Sequence, residues 1–307
     1  MTIINLTNDG LHSQLIVLAR VAAKFGQINK DELVRVCTAP GEDGNGRDTA
    51  RLRATLARWL ELGLFIEEEE MIRVNLESKR GSSLDELTDR LPAACRRLVL
   101  QEQHCLPLWG GSEDPTEKGV GRAADLARGL AWALAQDIYN LPEGGKEIEA
   151  LDRSQATTAR FIFLNYTRWT GLRPWARYLG FSNGDGGSFL FDPTEAVRDE
   201  LPHILGKGGA MAAAAFIEAL GARLPVLDGG VYRKEVEANL RPDRWRGPEP
   251  GHLSMSLSMA LRRLDLDGTI KLGTLADAGT GAVVKLSGRN HRTWASFTQV
   301  RLVGDKV

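Results

Sequence analysis

Arginine is the residue whose type and spacing in this chain most plainly imply chemistry, and that chemistry is the binding of phosphate. In the last quarter of the sequence, Arg241, Arg244 and Arg246 stand in a loop rich in proline, arginine and tryptophan. Arg289 and Arg292 flank Asn290-His291 at the turn between two strand-like runs. Ser254, Ser258 and Arg262 step by four, so they share one face of a helix, with Arg263 beside them. Nearer the start, Arg47, Arg51, Thr55 and Arg58 step by three or four and share a face in the same way. Guanidinium groups gathered on one surface release counterions from a polyanion, while serine and arginine on a helix can reach base edges or the backbone. Either set could equally be a solvated basic surface, or one that meets an acidic partner protein, and the spacing alone leaves both readings open.

Other reactive patterns fail on inspection. Gly206-Lys207-Gly208-Gly209 resembles a phosphate loop, but Leu201 stands where the first glycine is required and no Ser or Thr follows Lys207. A glycine cluster at a helix entrance is the plainer reading. Cys95, His104 and Cys105 lack a fourth ligand at finger spacing, the five histidines are scattered, and no Ser-His-Asp or paired-carboxylate pattern stands out. The expectation is a non-enzymatic protein with no catalytic residues, no metal and no cofactor.

Charge distribution sharpens the phosphate reading. The chain of 307 residues has a net charge of −1, but residues 231–307 carry 13 Lys+Arg against 8 Asp+Glu, a local +5. Residues 1–76 carry 9 against 11 and residues 77–230 carry 17 against 21. A polyanion is drawn first to the C-terminal end. With 43% hydrophobic and 26% charged residues the composition is that of a globular protein. Three unpaired cysteines, no apolar run long enough for a membrane span and no basic-then-apolar leader point to a cytoplasmic protein without membrane contact.

The elements needed to hold these arginines give a mainly α fold with small β-hairpins: tandem winged-helix (helix-turn-helix) units joined by a helical middle region. In residues 1–76, Leu11 to Phe25 has helical spacing, Asn29 can cap a second helix, and Asp48 to Leu62 forms a third with Leu52, Leu56, Trp59 and Leu60 inward. Gly63 ends it, and two short strands follow around Glu67–Glu70, whose four carboxylates would repel phosphate. That acidic tip leaves it open whether the N-terminal unit meets DNA or protein.

Residues 77–205 read as a helical middle. Ser82 or Ser83 caps a helix that Pro92 should kink, and Arg122 to Tyr139 is strongly helical. Thr157 to Trp169, Pro174 to Leu179, strand Phe189–Phe191 and a helix opened by Asp192-Pro193-Thr194-Glu195 suggest a second winged-helix-like unit. The aromatics of 161–191 read as packing rather than base stacking. Residues 206–307 then give helices at Gly209–Leu220, from Asp228 to Leu240, and over Leu253–Leu264, followed by three strands and a basic wing at Gly288–Arg292.

Several segments together carry a family likeness. They are Ile3-Ile4-Asn5, Asn8-Asp9-Gly10-Leu11 before the first helix, Leu15-Ile16-Val17-Leu18-Ala19-Arg20, Asp192-Pro193-Thr194, and Ser258-Met259-Ala260-Leu261-Arg262-Arg263-Leu264 before a wing. On these the chain resembles the DpdG family, encoded in bacterial islands that place 7-deazaguanine derivatives in DNA and restrict DNA lacking them. The resemblance implies a restriction-side subunit acting with helicase and nuclease partners of the same defence island, and it brings no catalytic residues. The combined expectation is a DNA-binding adaptor that grips double-stranded DNA through its winged-helix units. A winged-helix transcription regulator and a structural subunit without nucleic-acid contact are the rivals.

Overall fold

The computed structural model describes residues 3–4, 12–38, 46–76, 83–110, 119–157, 160–184, 189–274 and 283–303. Asn5, Asn8 to Leu11, Ser82 and the glycine-rich break over 39–45 lie outside them.

The N-terminal helices form where the caps predict. Helix α1 (His12–Phe25) leads to strand β1 (Ile28–Asn29), and the Asn29 side chain accepts hydrogen bonds from the N–H groups of Asp31 and Glu32 to start α2 (Lys30–Cys37). Helix α3 (Arg47–Glu61) buries Leu52, Leu56 and Trp59, and Gly63 leaves it at φ +83°. Strands β2 (Phe65–Glu68) and β3 (Met71–Val74) pair antiparallel, and β1 adds to the far side of β3.

The middle is helical: α4 (Leu84–Val99), α5 (Glu102–Cys105), α6 (Ala124–Ala135), α7 (Gly145–Gln155) and α8 (Tyr166–Tyr178). Ser83 and Glu86 make a reciprocal capping box at the start of α4, and that helix continues through Pro92 without a break. The predicted helix over Thr157–Trp169 does not form. The buried Asp152 carboxylate accepts the N–H groups of Ile162 and Phe163, at 3.1 and 2.8 Å, and takes them out of any helical ladder. Helix α8 opens only after Asn165 and runs through Pro174 as one helix, so the separate helix from Pro174 is absent too. Strands β4 (Ser182–Asn183) and β5 (Leu190–Phe191) form a small ladder before α9 (Thr194–Leu205), and the second three-helix unit expected over 157–205 does not appear.

Beyond Gly206, which ends α9 at φ +63°, the chain forms strand β6 (Ala210–Ala212) where a helix was expected from Gly209. The glycine cluster is thus a helix exit that leads into a strand. Then come α10 (Ala213–Arg223), α11 (Val231–Ala238), α12 (Met255–Leu266), β7 (Ile270–Gly273), β8 (Val284–Ser287), β9 (Thr293–Phe297) and β10 (Gln299–Leu302). Strand β10 pairs antiparallel with both β6 and β7, while β8 and β9 make a separate hairpin. The first sheet is ordered β1-β3-β2 and this one β6-β10-β7. The path α1-β1-α2-α3-β2-β3 is therefore retraced by α9-β6-α10-α12-β7-β10, with α11 and the β8–β9 hairpin inserted. Helix α9 packs on α10 and α12 as α1 packs on α2 and α3.

One apolar core extends from Ile3 to Leu302. Aromatic rings carry it across the elements: Trp59 lies 5.9 Å from Trp175, and Trp132, Phe163, Trp169 and Phe191 follow at 5.5–5.6 Å steps. Phe163, Trp169, Phe181 and Phe191 are buried, so these aromatics of 161–191 pack and are not offered to a base. Among the described residues no helix is long and apolar enough to cross a membrane.

Candidate nucleic-acid interface

Helix α12 holds the serines expected to face a groove, and it holds them inward. Every residue from Leu253 to Leu261 is buried, because α6, α9, β7 and β8 surround the helix. Ser254 caps the helix by accepting the Leu257 N–H, and its own N–H and Oγ donate to the Asp228 carboxylate, both at 2.6 Å. The helix expected from Asp228 starts later, with Gly230 at the cap of α11, and Asp228 secures α12 instead. Ser256 donates to the Leu134 carbonyl of α6, and Ser258 Oγ accepts the N–H of Ser287 at 2.8 Å. Ser254 and Ser258 are thus structural side chains, and their assignment to a DNA-facing surface is corrected. A helix that reads bases does so with the residues of its N-terminal turns, and in α12 those turns are covered.

The face of α3 also differs from the spacing. Thr55 is buried against Gln14, and Arg58 is 8% exposed, so neither belongs to an outer surface. Arg51 is half-buried and pairs with Asp48 at 3.3 Å. Arg47 is exposed as expected, and the outer row it begins continues through Ala50, Arg53, Ala57 and Glu61. Arg53 escaped the sequence reading because only packing decides which of two neighbouring helical rows faces the core.

Of the loop arginines, Arg244 and Arg246 are exposed and Arg241 is half-buried, and all three are locally neutralised. Arg241 grips Asp243 through two hydrogen bonds, at 3.0 and 3.2 Å, Arg244 meets the same carboxylate at 3.4 Å, and Arg246 pairs with Glu249. Exposed pairs of this kind are worth ~0–1 kcal/mol, so a phosphate can still compete for the guanidinium.

Arg262, Arg263, Arg289 and Arg292, from two parts of the chain, are brought together around Trp294. The Arg262 guanidinium lies over the Trp294 ring, 5.2 Å from its centroid. The indole rests against Gly288, where any side chain would collide with it, so the wing turn carrying Arg289 and Arg292 is held beside the end of α12. Tyr139 meets the other side of Trp294, ring to edge at 6.5 Å. Burial raises the Tyr139 phenol; the charges of Arg263 and Arg289 lower it, and those of Asp137 and Asp192 raise it. Arg263 reaches the buried Asp192 carboxylate, which also accepts the Thr194 N–H at the entrance of α9, where Pro193 rather than Asp192 holds the cap position. Arg262, Arg289 and Arg292 are exposed and have no acidic partner among the described residues. Neither Trp294 nor Tyr139 was singled out from the sequence, since nothing local relates positions so far apart.

Elsewhere, a cleft of about 660 Å³ between α4, α9, α10 and α11 is lined by Arg97, Arg223 and Lys234 against Glu102, Glu200 and Glu218, a balance that does not favour a polyanion. Among the described residues no group of three or more His, Cys, Asp or Glu is gathered as metal ligands. Burial raises all three free thiols, Cys37 to about 11 and Cys105 to about 12.

No curated protein and no solved structure matches the chain. A family model described as DpdG-like matches residues 1–278, a span that stops short of the wing, and on that match the chain belongs to the DpdG-like family.

Proposed function

We propose that this chain is a non-enzymatic, cytoplasmic DNA-binding adaptor of a Dpd-type DNA modification and restriction system, joining duplex DNA to helicase or nuclease partners of the same island. Family membership supports the system and the company of its other proteins. The retraced α-β-α-α-β-β path, with the last strand central in each sheet, supports reading each end of the chain as a winged-helix unit. The observation that carries the DNA half is the trio Arg262, Arg289 and Arg292, exposed and without an acidic partner among the described residues, with Arg262 over the Trp294 ring and the other two on the turn that precedes it. Three such cations on one surface give the salt-dependent attraction that phosphates require. The mode is a wing laid on the backbone, since the N-terminal turns of α12 are covered and only its last turn is open.

The test is electrophoretic mobility shift of the full chain with duplex DNA at rising salt. The full chain is needed because α12 is hydrogen-bonded to α6 and packed on α9. Binding that weakens steeply with salt supports the proposal. No shift at low salt favours the structural-subunit reading, to which the burial of α12 and the paired loop arginines already lend weight. Protection of one palindromic operator would instead favour a transcription regulator.

A further inference from the structure

Beside the basic patch lies a cavity of about 210 Å³. It is walled by the end of α6 at Gln136 and Asp137, by Gln155 of α7, by Arg244 and Trp245 of the loop, and by the entrance of α12. It adjoins the patch on two sides. Asp137 precedes Tyr139 by two residues, and Ser287, which also lines the cavity, precedes the Gly288 on which Trp294 rests. Clefts that take drug-sized ligands run ~300–1,000 Å³, so this one suits a single flat heterocycle.

Its walls have the chemistry of a base site. Trp245 is half-buried, lines the cavity, and packs its six-membered ring against Gly247, where a Cβ would sit 3.0 Å from it. The two amides are held in place by their neighbours. Trp132 Nε1 donates to Gln155 Oε1 at 2.9 Å, Gln155 Nε2 donates to Gln136 Oε1 at 3.0 Å, and Gln136 Nε2 donates to the Trp132 carbonyl at 3.2 Å. A primary amide has two N–H donors and two acceptor lone pairs, so among the described residues each glutamine side chain keeps one donor and one acceptor without a partner. Amides held this way read the edge of a base. Arg244 stands at the mouth, exposed and only loosely paired with Asp243 at 3.4 Å.

We propose that this cavity receives one unstacked nucleobase of the DNA held by the wing, stacked on Trp245 and edged by Gln136 and Gln155. The inference rests on the DNA-binding reading and adds to it a preference for DNA in which a base is already unpaired. Extruding a base from intact duplex costs stacking and pairing, and a mismatched or unpaired base is spared most of that cost.

The experiment measures full-chain affinity, by fluorescence anisotropy, for a paired duplex and for the same duplex carrying one unpaired base. The unpaired-base duplex is expected to bind roughly tenfold tighter. Trp245→Ala should abolish that preference while leaving paired-duplex affinity unchanged, and Trp245→Phe should restore part of it. With wild-type protein, 2-aminopurine as the unpaired base should lose fluorescence on binding as it stacks on the indole, a readout that does not depend on how a variant folds. Equal affinity for the two duplexes, a preference that survives Trp245→Ala, or a 2-aminopurine signal that does not fall would overturn the base site alone. Failure to bind either duplex would overturn the DNA reading beneath it.

Discussion

The Oγ of Ser258 accepts the backbone N–H of Ser287 at 2.8 Å, and both residues are buried. This bond ties the middle of α12 to β8, the strand that leads into the basic wing. Removing the hydroxyl takes this partner from the buried Ser287 N–H, which costs ~1–3 kcal/mol. Ser258→Ala should therefore lower the urea midpoint and leave DNA affinity at fixed salt unchanged. A variant with native stability and weakened DNA binding would return α12 to the interface.

Arg289 and Arg292 make the opposite prediction. Both are exposed, and their replacement touches no buried group. Arg289→Ala with Arg292→Ala should reduce the slope of log affinity against log salt by about 2, with little change in melting temperature. Arg241→Ala should change the slope less, because Arg241 is already bound to Asp243. Equal slopes for wild type and the wing double variant would remove the wing from the contact.

Asp152 predicts a dependence on pH. Burial raises its carboxyl to about 6 against an ordinary 3.8, and the N–H groups of Ile162 and Phe163 and the charges of Arg153 and Arg128 only partly oppose this. The folded protein therefore holds this proton more tightly than the unfolded chain does. Its stabilising contribution is full below pH 3.8 and is lost as the pH rises to about 6. Asp152→Asn cannot titrate, so the margin by which wild type outlasts it in thermal melts should narrow between pH 4 and pH 6. A margin that stays constant over that range would contradict the assignment.

The thiols predict quiet chemistry. Burial raises Cys37 to about 11 and Cys105 to about 12, and raises Cys95 further, so little thiolate exists at pH 8. Native protein should react slowly with iodoacetamide at that pH, and urea-unfolded protein should take up three equivalents quickly. Fast labelling of native Cys95 would mean that α4 opens readily.

Local signals were legible and distant ones were not. Asn29 capping α2, Ser83 at the start of α4, Gly63 closing α3 and Asp192 before α9 each act within a few residues, so the sequence exposes them. Helical spacing says which residues share a face but not what covers it. Spacing alone therefore puts Ser254 and Ser258 on an outer surface that α6 and β8 in fact occupy. Asp152 captures Ile162 and Phe163 across a turn of the chain, and that competition for backbone N–H groups leaves no mark in the helix-like spacing of 157–169. The Arg262–Trp294 stack joins a helix end to a strand, so the basic surface could be listed as charges but not assembled.

Strand β10 lies between β6 and β7, and neither has another partner strand among the described residues. During synthesis the N-terminal sheet can close as soon as β3 emerges. The C-terminal one must wait, its two outer strands already made, until Gln299–Leu302 leave the ribosome. A premature stop before residue 299 would leave the edges of β6 and β7 bare for pairing with other chains.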